Sequence, residues 1–458
     1  MAPPESLRIA LLVYRGNPHS GGQGVYVRYL SRELVALGHR VTVFAGQPWP
    51  VLDDGVELVA VPGLDLYREP DPFRIPRPRE FRSWVDVAEF AVMCGAGFPE
   101  PLAFSWRVRK ALARRPGAFD VVHDNQCFGR GLLGVIADGW PVLGTCHHPI
   151  TVDRALDLAH AEGWRRRLTL RRWYGFVGMQ IDVARHYPRI ITVSSSSRRD
   201  IVGQMGIDAD RLAVVPIGVD QHRFRPHPEI ARVPGRIMTT ASADVPLKGL
   251  VHLLEALAKL RTERPDAHLV VIGRARPESQ AGRAIERLEL DGFVKFTPGV
   301  SDERLVDQYA ECQVAVVPSL YEGFSLPAVE AMACGVPLIA TTGGALPEVV
   351  GPDGEAALAV APGDAGALAA ALDRVLGDEN LAARLAIAGR ARVLERFTWR
   401  SAAEATAEHY RWTIEHTAAK PTGHTAAETP EHTAAETPGH TAAETPEHTA
   451  AETPAAAC

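Results

Sequence analysis

At 458 residues the chain is longer than one hydrophobic core usually serves, so two domains are expected, and its 46% apolar and 23% charged content is ordinary for a globular protein in water. A net charge of −6 argues against nucleic acid as a general partner. No 18 apolar residues run together, so no membrane-crossing helix is expected, and six cysteines without ligand-like spacing fit a reduced, cytoplasmic compartment.

The apolar run 7–14 reads as a first strand. It is followed by a glycine-bearing loop, Ser20-Gly-Gly-Gln-Gly24, a helix over 25–37 with apolar residues at Val27, Leu30, Leu34 and Leu37, and a strand over 39–45. This is the βαβ opening of a parallel sheet. The loop is not G-x-G-x-x-G, so no nicotinamide site is read from it. Further strands are expected at 56–61, 121–123, 142–146, 190–193 and 212–215. A Pro- and Arg-rich insertion, 62–102, interrupts the rhythm, and insertions at strand ends are where specificity is usually placed; it is assigned to contact with a substrate.

Gly144-Thr-Cys-His-His-Pro149 ends one strand, and an imidazole there suits holding a hydroxyl near neutral pH; His147 is the first candidate and His148 its neighbour. Residues 164–174 hold five arginines between Trp164 and Tyr174. On a helix they form either a solvated face or a cationic surface for anionic headgroups, a peripheral membrane contact, or for a phosphorylated acceptor. Asp208-Ala-Asp210 has the spacing of a metal-binding aspartate pair but lies in a turn, so it is read as surface and no metal is expected.

A second set of elements begins near Arg236: strands at 237–241, 269–273 and 294–297, helices over 249–261 and 302–309, then a buried strand over 314–317. Tyr321 to Ser325 reads as the turn leaving that strand. Leu326 to Cys334 reads as a short helix with Pro327 in its first turn, stopped by Gly335. Glu322 in the loop and Glu330 in the helix are separated by seven residues. The free N–H groups of Gly323, Phe324, Ser325 and Leu326 share their space, and a helix N-terminus favours an anion; a ligand with a phosphate and hydroxyls is implied. A weak strand (357–360) and helices over 364–376, 381–391 and 401–415 follow. From His416 an octapeptide, His-Thr-Ala-Ala-Glu-Thr-Pro-Glu/Gly, recurs; it lacks large apolar residues and is expected to be disordered.

The two glutamates, with Glu-Gly-Phe-Ser-Leu-Pro327, Ala-Cys-Gly-Val-Pro337 and Gly-Gly-Ala-Leu-Pro-Glu348 around them, resemble the signature of the retaining GT-B glycosyltransferases of family 4. The resemblance implies an α/β chain of two Rossmann-like βαβ domains facing across a cleft. An acceptor domain would span 1–220 and a nucleotide-sugar domain 221–396, with a helix over 397–415 crossing back and a disordered tail over 416–458. It implies a nucleotide sugar, UDP- or GDP-linked, as donor substrate and no further cofactor; the acceptor, a glycolipid, polysaccharide or small natural product, stays open. Gly21 and Gly22 would let backbone approach the sugar diphosphate, and His147 would lie beside the donor sugar. Glu322 would hold sugar hydroxyls, Glu330 the ribose, Val300 the base and Lys248 the diphosphate. Where relatives have an arginine five residues before that lysine this chain has Ala243, so either Ser242 with backbone amides or Arg274 from the next strand end takes its place. A nucleotide-sugar-binding protein without turnover, and a GT-B phosphorylase or epimerase, are the other readings.

Overall fold

The computed structural model describes residues 5–17, 22–68, 70–161, 163–241, 245–274 and 276–418. The first sheet is built from β1 (Arg8–Val13), β2 (Arg40–Ala45), β3 (Glu57–Ala60), β4 (Val121–Asn125), β5 (Val142–Cys146), β6 (Arg189–Thr192) and β7 (Leu212–Val214). Their order is β3-β2-β1-β4-β5-β6-β7, and every pairing is parallel. The second sheet contains β8 (Arg236–Thr240), β9 (His268–Ile272), β10 (Val294–Thr297), β11 (Val314–Val317), β12 (Leu338–Thr341) and β13 (Leu358–Val360). Its order is β10-β9-β8-β11-β12-β13, again all parallel.

Parallel strands are covered on both faces, and the alternation of side chains assigns each residue to one of them. Ile9, Leu11 and Val13 of β1 pack with Tyr26, Val27, Leu30 and Leu34 of the helix Gln23–Ala36. Ala10 and Leu12 face Phe104, Val108 and Leu112 on the opposite side. Each sheet reverses direction of winding once, between β1 and β4 and between β8 and β11. At such a switch point the connecting loops diverge and leave a crevice at the carboxyl ends of the strands. Lys248 and Glu322 lie in the two loops that flank the second of these points.

The last helix, Trp399–Ala418, returns to the first sheet, where Trp399, Ala403 and Tyr410 are buried with β1 and β2. Trp412 lies under the Arg189 guanidinium, 3.9 Å from it. The helix runs past the expected limit, so the first three residues assigned to a disordered tail, 416–418, are helical; the octapeptide repeat beyond lies outside the described residues. The short strand β12 was not anticipated. The insertion at 62–102 packs a small core of its own, Leu64, Leu66 and Tyr67 against Phe81, Phe90, Phe98 and Trp173. It also brings Glu100 to Arg15, 3.2 Å away, just beyond the end of β1.

Candidate active site

Four buried apolar residues carry β11 into Pro318 and Ser319. The Ser319 hydroxyl donates to Glu322 Oε1 at 2.6 Å, and Lys248 Nζ donates to the same oxygen at 2.8 Å. Glu322 is only 8% exposed, and a carboxylate so placed needs a counter-charge and hydrogen bonds. Sequence reasoning gave these two residues separate duties, the lysine on a diphosphate and the glutamate on sugar hydroxyls. The structure brings them together as one ion pair.

Glycine makes the approach possible. Gly249 ends the single turn Pro246–Lys248 at φ +65°, and a Cβ there would stand 2.0 Å from the Pro318 carbonyl oxygen. Leu320 N–H then donates to Leu247 O at 2.7 Å, stitching the two loops together.

The next turn stores strain. Ser325 sits at φ +95°, a region that a residue with a Cβ rarely adopts, and its buried hydroxyl oxygen has no hydrogen-bond partner among the described residues. The N–H groups of Gly323, Phe324, Ser325 and Leu326 donate to no described residue. Unspent donors at a helix start are the kind of group that receives an oxygen-rich anion, and a buried hydroxyl without a partner is a free donor beside them. The helix Leu326–Ala333 carries Glu330, which accepts from the Tyr309 hydroxyl at 3.3 Å. Burial pushes the Glu330 carboxyl up to about 7, against the opposing pull of that hydrogen bond.

On the first-sheet side, His147 follows β5. Its main-chain N–H donates to Gln126 Oε1 at 2.7 Å, its Nε2 is 2.8 Å from Asn125 Oδ1, and the Tyr26 ring meets it edge-on at 4.6 Å. Burial, and then the neighbouring His148, push its imidazole down to about 3, so it is neutral near pH 7. His148 instead pairs with Asp153, 2.9 Å away. A Cβ added to Gly323 would lie 3.2 Å from His148 Cβ and 3.6 Å from His147 O, so the Glu322 loop rests directly on the His147 segment.

The remaining expected residues are placed as follows. Phe324 points its ring into the core, edge-on to Phe397 at 5.6 Å, which leaves only its main-chain N–H for a ligand. Val300 and Leu326 pack as half-buried residues against that same core cluster. Arg274 is exposed after β9 and makes no ion pair or hydrogen bond with a described residue. Gly22 stands at φ +69° before its helix, whereas Gly21 and Ser242 lie outside the described residues. Asp208 is exposed beside Arg211. Asn125, Gln126, Ser194 and Ser197 were not anticipated; the run Asp124-Asn-Gln126 at the end of a strand beside a switch point was the available signal for the first two.

Residues 228–392 match the family model described as glycosyl transferases group 1, and residues 20–223 that of glycosyltransferase family 4. The chain is 52% identical over 414 residues to the MMP alpha-(1->4)-mannosyltransferase of Mycolicibacterium hassiacum, an alignment covering 90% of this chain and 100% of the relative. This chain is a group 1, family 4 glycosyltransferase.

A more distant relative of the glycosyltransferase is the D-inositol 3-phosphate glycosyltransferase of Streptomyces avermitilis, 32% identical over 86% of this chain and 84% of that one. Its GT-B fold is shared with sucrose-phosphate synthase from Thermosynechococcus elongatus (TM-score 0.66, 23% identity, 90% of this chain and 100% of the other). Anabaena HepE, solved with UDP-glucose, is similar too (TM-score 0.62, 18% identity, 88% and 99%). In the glycosyltransferase described here, the pair Lys248–Glu322, the unspent amides of 323–326 and neutral His147 thus gather where its two halves meet. No described helix is long and apolar enough to cross a membrane.

Proposed function

We infer that the glycosyltransferase moves a mannosyl residue from a nucleoside diphosphate mannose to a hydroxyl of a mannose-containing acceptor, forming an α-(1→4) bond with retention and without a metal ion. The observation that carries this reading is the full-length, 52% identical relative named as an alpha-(1->4)-mannosyltransferase. The site's chemistry is compatible with it. When the bond from C1 to the diphosphate oxygen breaks, its electron pair leaves with the diphosphate and positive charge grows on the sugar ring. Lys248, together with the amides of 323–326, offsets the new negative charge, and Arg274 approaches the diphosphate from the end of β9. The acceptor hydroxyl attacks C1 from the face the diphosphate leaves, and its proton passes to the departing phosphate oxygen. No protein nucleophile enters this step.

Glu322, released from Lys248 as the diphosphate takes that cation, holds sugar hydroxyls, and His147 holds another as a neutral imidazole. Glu330 receives the ribose hydroxyls, and Val300 lies beside the base. Arg15 and Glu100, at the insertion side of the crevice, meet the acceptor. The test is transfer from GDP-mannose and UDP-mannose to α-(1→4)-linked mannose oligosaccharides, with and without a chelator, the product's linkage and anomeric configuration read by NMR. Elongation by one α-linked mannose that survives chelation supports the reading. An inverted product, or transfer from glucose donors alone, overturns it.

A further inference from the structure

The segment after β6 is where the first half of the chain grips the Glu322 loop. Ser194 Oγ donates to the Gly323 carbonyl at 2.6 Å. Ser197 Oγ stands between the two sides of the site, 3.1 Å from the Gly323 carbonyl and 3.2 Å from the His147 carbonyl. Tyr321 hydroxyl donates to Asp200. The fourth contact comes from farther along the chain. Glu348, in the helix Leu346–Val350, accepts from Ser195 N–H and from Ser196 N–H, each at 2.7 Å, so its carboxylate takes up two main-chain donors that the first turn of Ser195–Asp200 cannot satisfy itself.

Glu348 is also tied to the catalytic loop behind it. Ala345 N–H donates to the Glu322 carbonyl at 2.8 Å. A Cβ on Gly344 would lie 2.2 Å from that carbonyl oxygen, and one on Gly343 would lie 2.5 Å from the Leu320 oxygen. Only glycine permits backbones this close, so the run Gly343-Gly344-Ala345 packs backbone to backbone on the loop 320–323. On its other side the Glu348 helix is held by Arg392, which donates to Glu348 O and Val349 O.

We propose that Glu348 is a positioning residue for transfer: seated on Ser195 and Ser196, it sets the Glu322 carboxylate and the 323–326 amides against the His147 segment when the two halves close. This role rests on the transfer reading above. Glu348 touches no substrate. Its loss therefore leaves donor binding to the second half nearly intact and impairs the step that needs both halves in register.

The experiment uses the full chain and the variants Glu348→Ala and Glu348→Gln. Steady-state transfer from the mannose donor is measured beside hydrogen exchange resolved over 194–200 and 321–325. Two charge-assisted bonds to a partly exposed carboxylate give an expected fall in kcat of roughly tenfold for Ala, with donor KM changed less than about twofold. Gln, which keeps one acceptor oxygen, falls less. In both variants exchange quickens over 194–200 and 321–325 and stays unchanged in the strands. Unchanged exchange over 321–325 overturns the proposal, as does a kcat loss accompanied by equal loss of protection throughout the sheets. If the unaltered protein transfers no mannose, the transfer reading fails; the exchange measurement still decides whether Glu348 holds the loop.

Discussion

Glu330→Gln tests the electrostatics of the helix that follows the binding loop. In the folded chain burial raises this carboxyl from its ordinary 4.5 to about 7, so between those values the folded state holds a proton that the unfolded state has released. Stability therefore falls as pH rises through this window, and the full penalty is felt above 7. A displacement of about 2.5 units corresponds to about 3 kcal/mol at most. Solvent reaches part of the side chain, which reduces the expectation to about 2 kcal/mol. Glutamine resembles the protonated acid in shape. Near pH 5 the variant and the unaltered protein should melt together, and near pH 8 the variant should melt higher, by about 5 °C. Scanning calorimetry from pH 5 to 8 measures the difference. A melting difference that does not vary with pH refutes the reasoning. The same group offers a binding test: a carboxylate that accepts ribose hydroxyls binds best ionised, so nucleotide binding near pH 6.5 should release protons, and Glu330→Gln should abolish that release.

Lys248→Ala removes the cation from a nearly buried carboxylate, and kcat for transfer should drop by roughly 10²- to 10³-fold, the cost of losing one preorganised charge at a developing anion; steady-state rates within threefold of the unaltered protein would exclude that role. Ser325→Gly relieves a left-handed residue and should raise the melting temperature, by about 1 kcal/mol in stability, while weakening nucleotide binding through loss of the orphaned hydroxyl. Ser325→Ala keeps the strain and should show the weaker binding alone, as titration calorimetry can read. Arg274→Ala should weaken donor binding without altering stability, since no described residue depends on that side chain; equal affinity would leave the diphosphate to Lys248 and the amides. In the helix Trp164–Trp173, Arg165, Arg167, Arg171 and Arg172 are exposed beside a 71% exposed Trp164, so sedimentation should show binding to anionic vesicles and not to neutral ones; equal sedimentation with both excludes a headgroup contact.

The strands and the Glu322–Glu330 unit were legible because their signals are local. Four buried apolar residues before a turn, a proline in a first helical turn and a glycine at its end need no knowledge of the rest of the chain. β12 was missed because Leu338–Thr341 is an apolar run of only four residues, and periodicity alone does not separate a short buried strand from other buried backbone. The partnership of Lys248 with Glu322 was not legible either: it depends on two loops meeting at a switch point, 74 residues apart in the chain. Ser195 and Glu348 are 153 positions apart, and nothing in either neighbourhood announces the other. For Asn125 and Gln126 the polar strand end was a signal, but their contacts with the His147 segment depend on β5 lying beside β4.

The return of the helix Trp399–Ala418 to the first sheet has a consequence for biosynthesis. Leu7, Ile9 and Leu11 are made long before Trp399, Ala403 and Tyr410, which supply part of their apolar cover. While the ribosome is still translating the middle of the message, that flank of the nascent sheet is bare to solvent or to a chaperone. A fragment ending just before residue 399 would carry the same bare flank permanently, so premature termination there yields a sticky first half beside a second half whose core is complete.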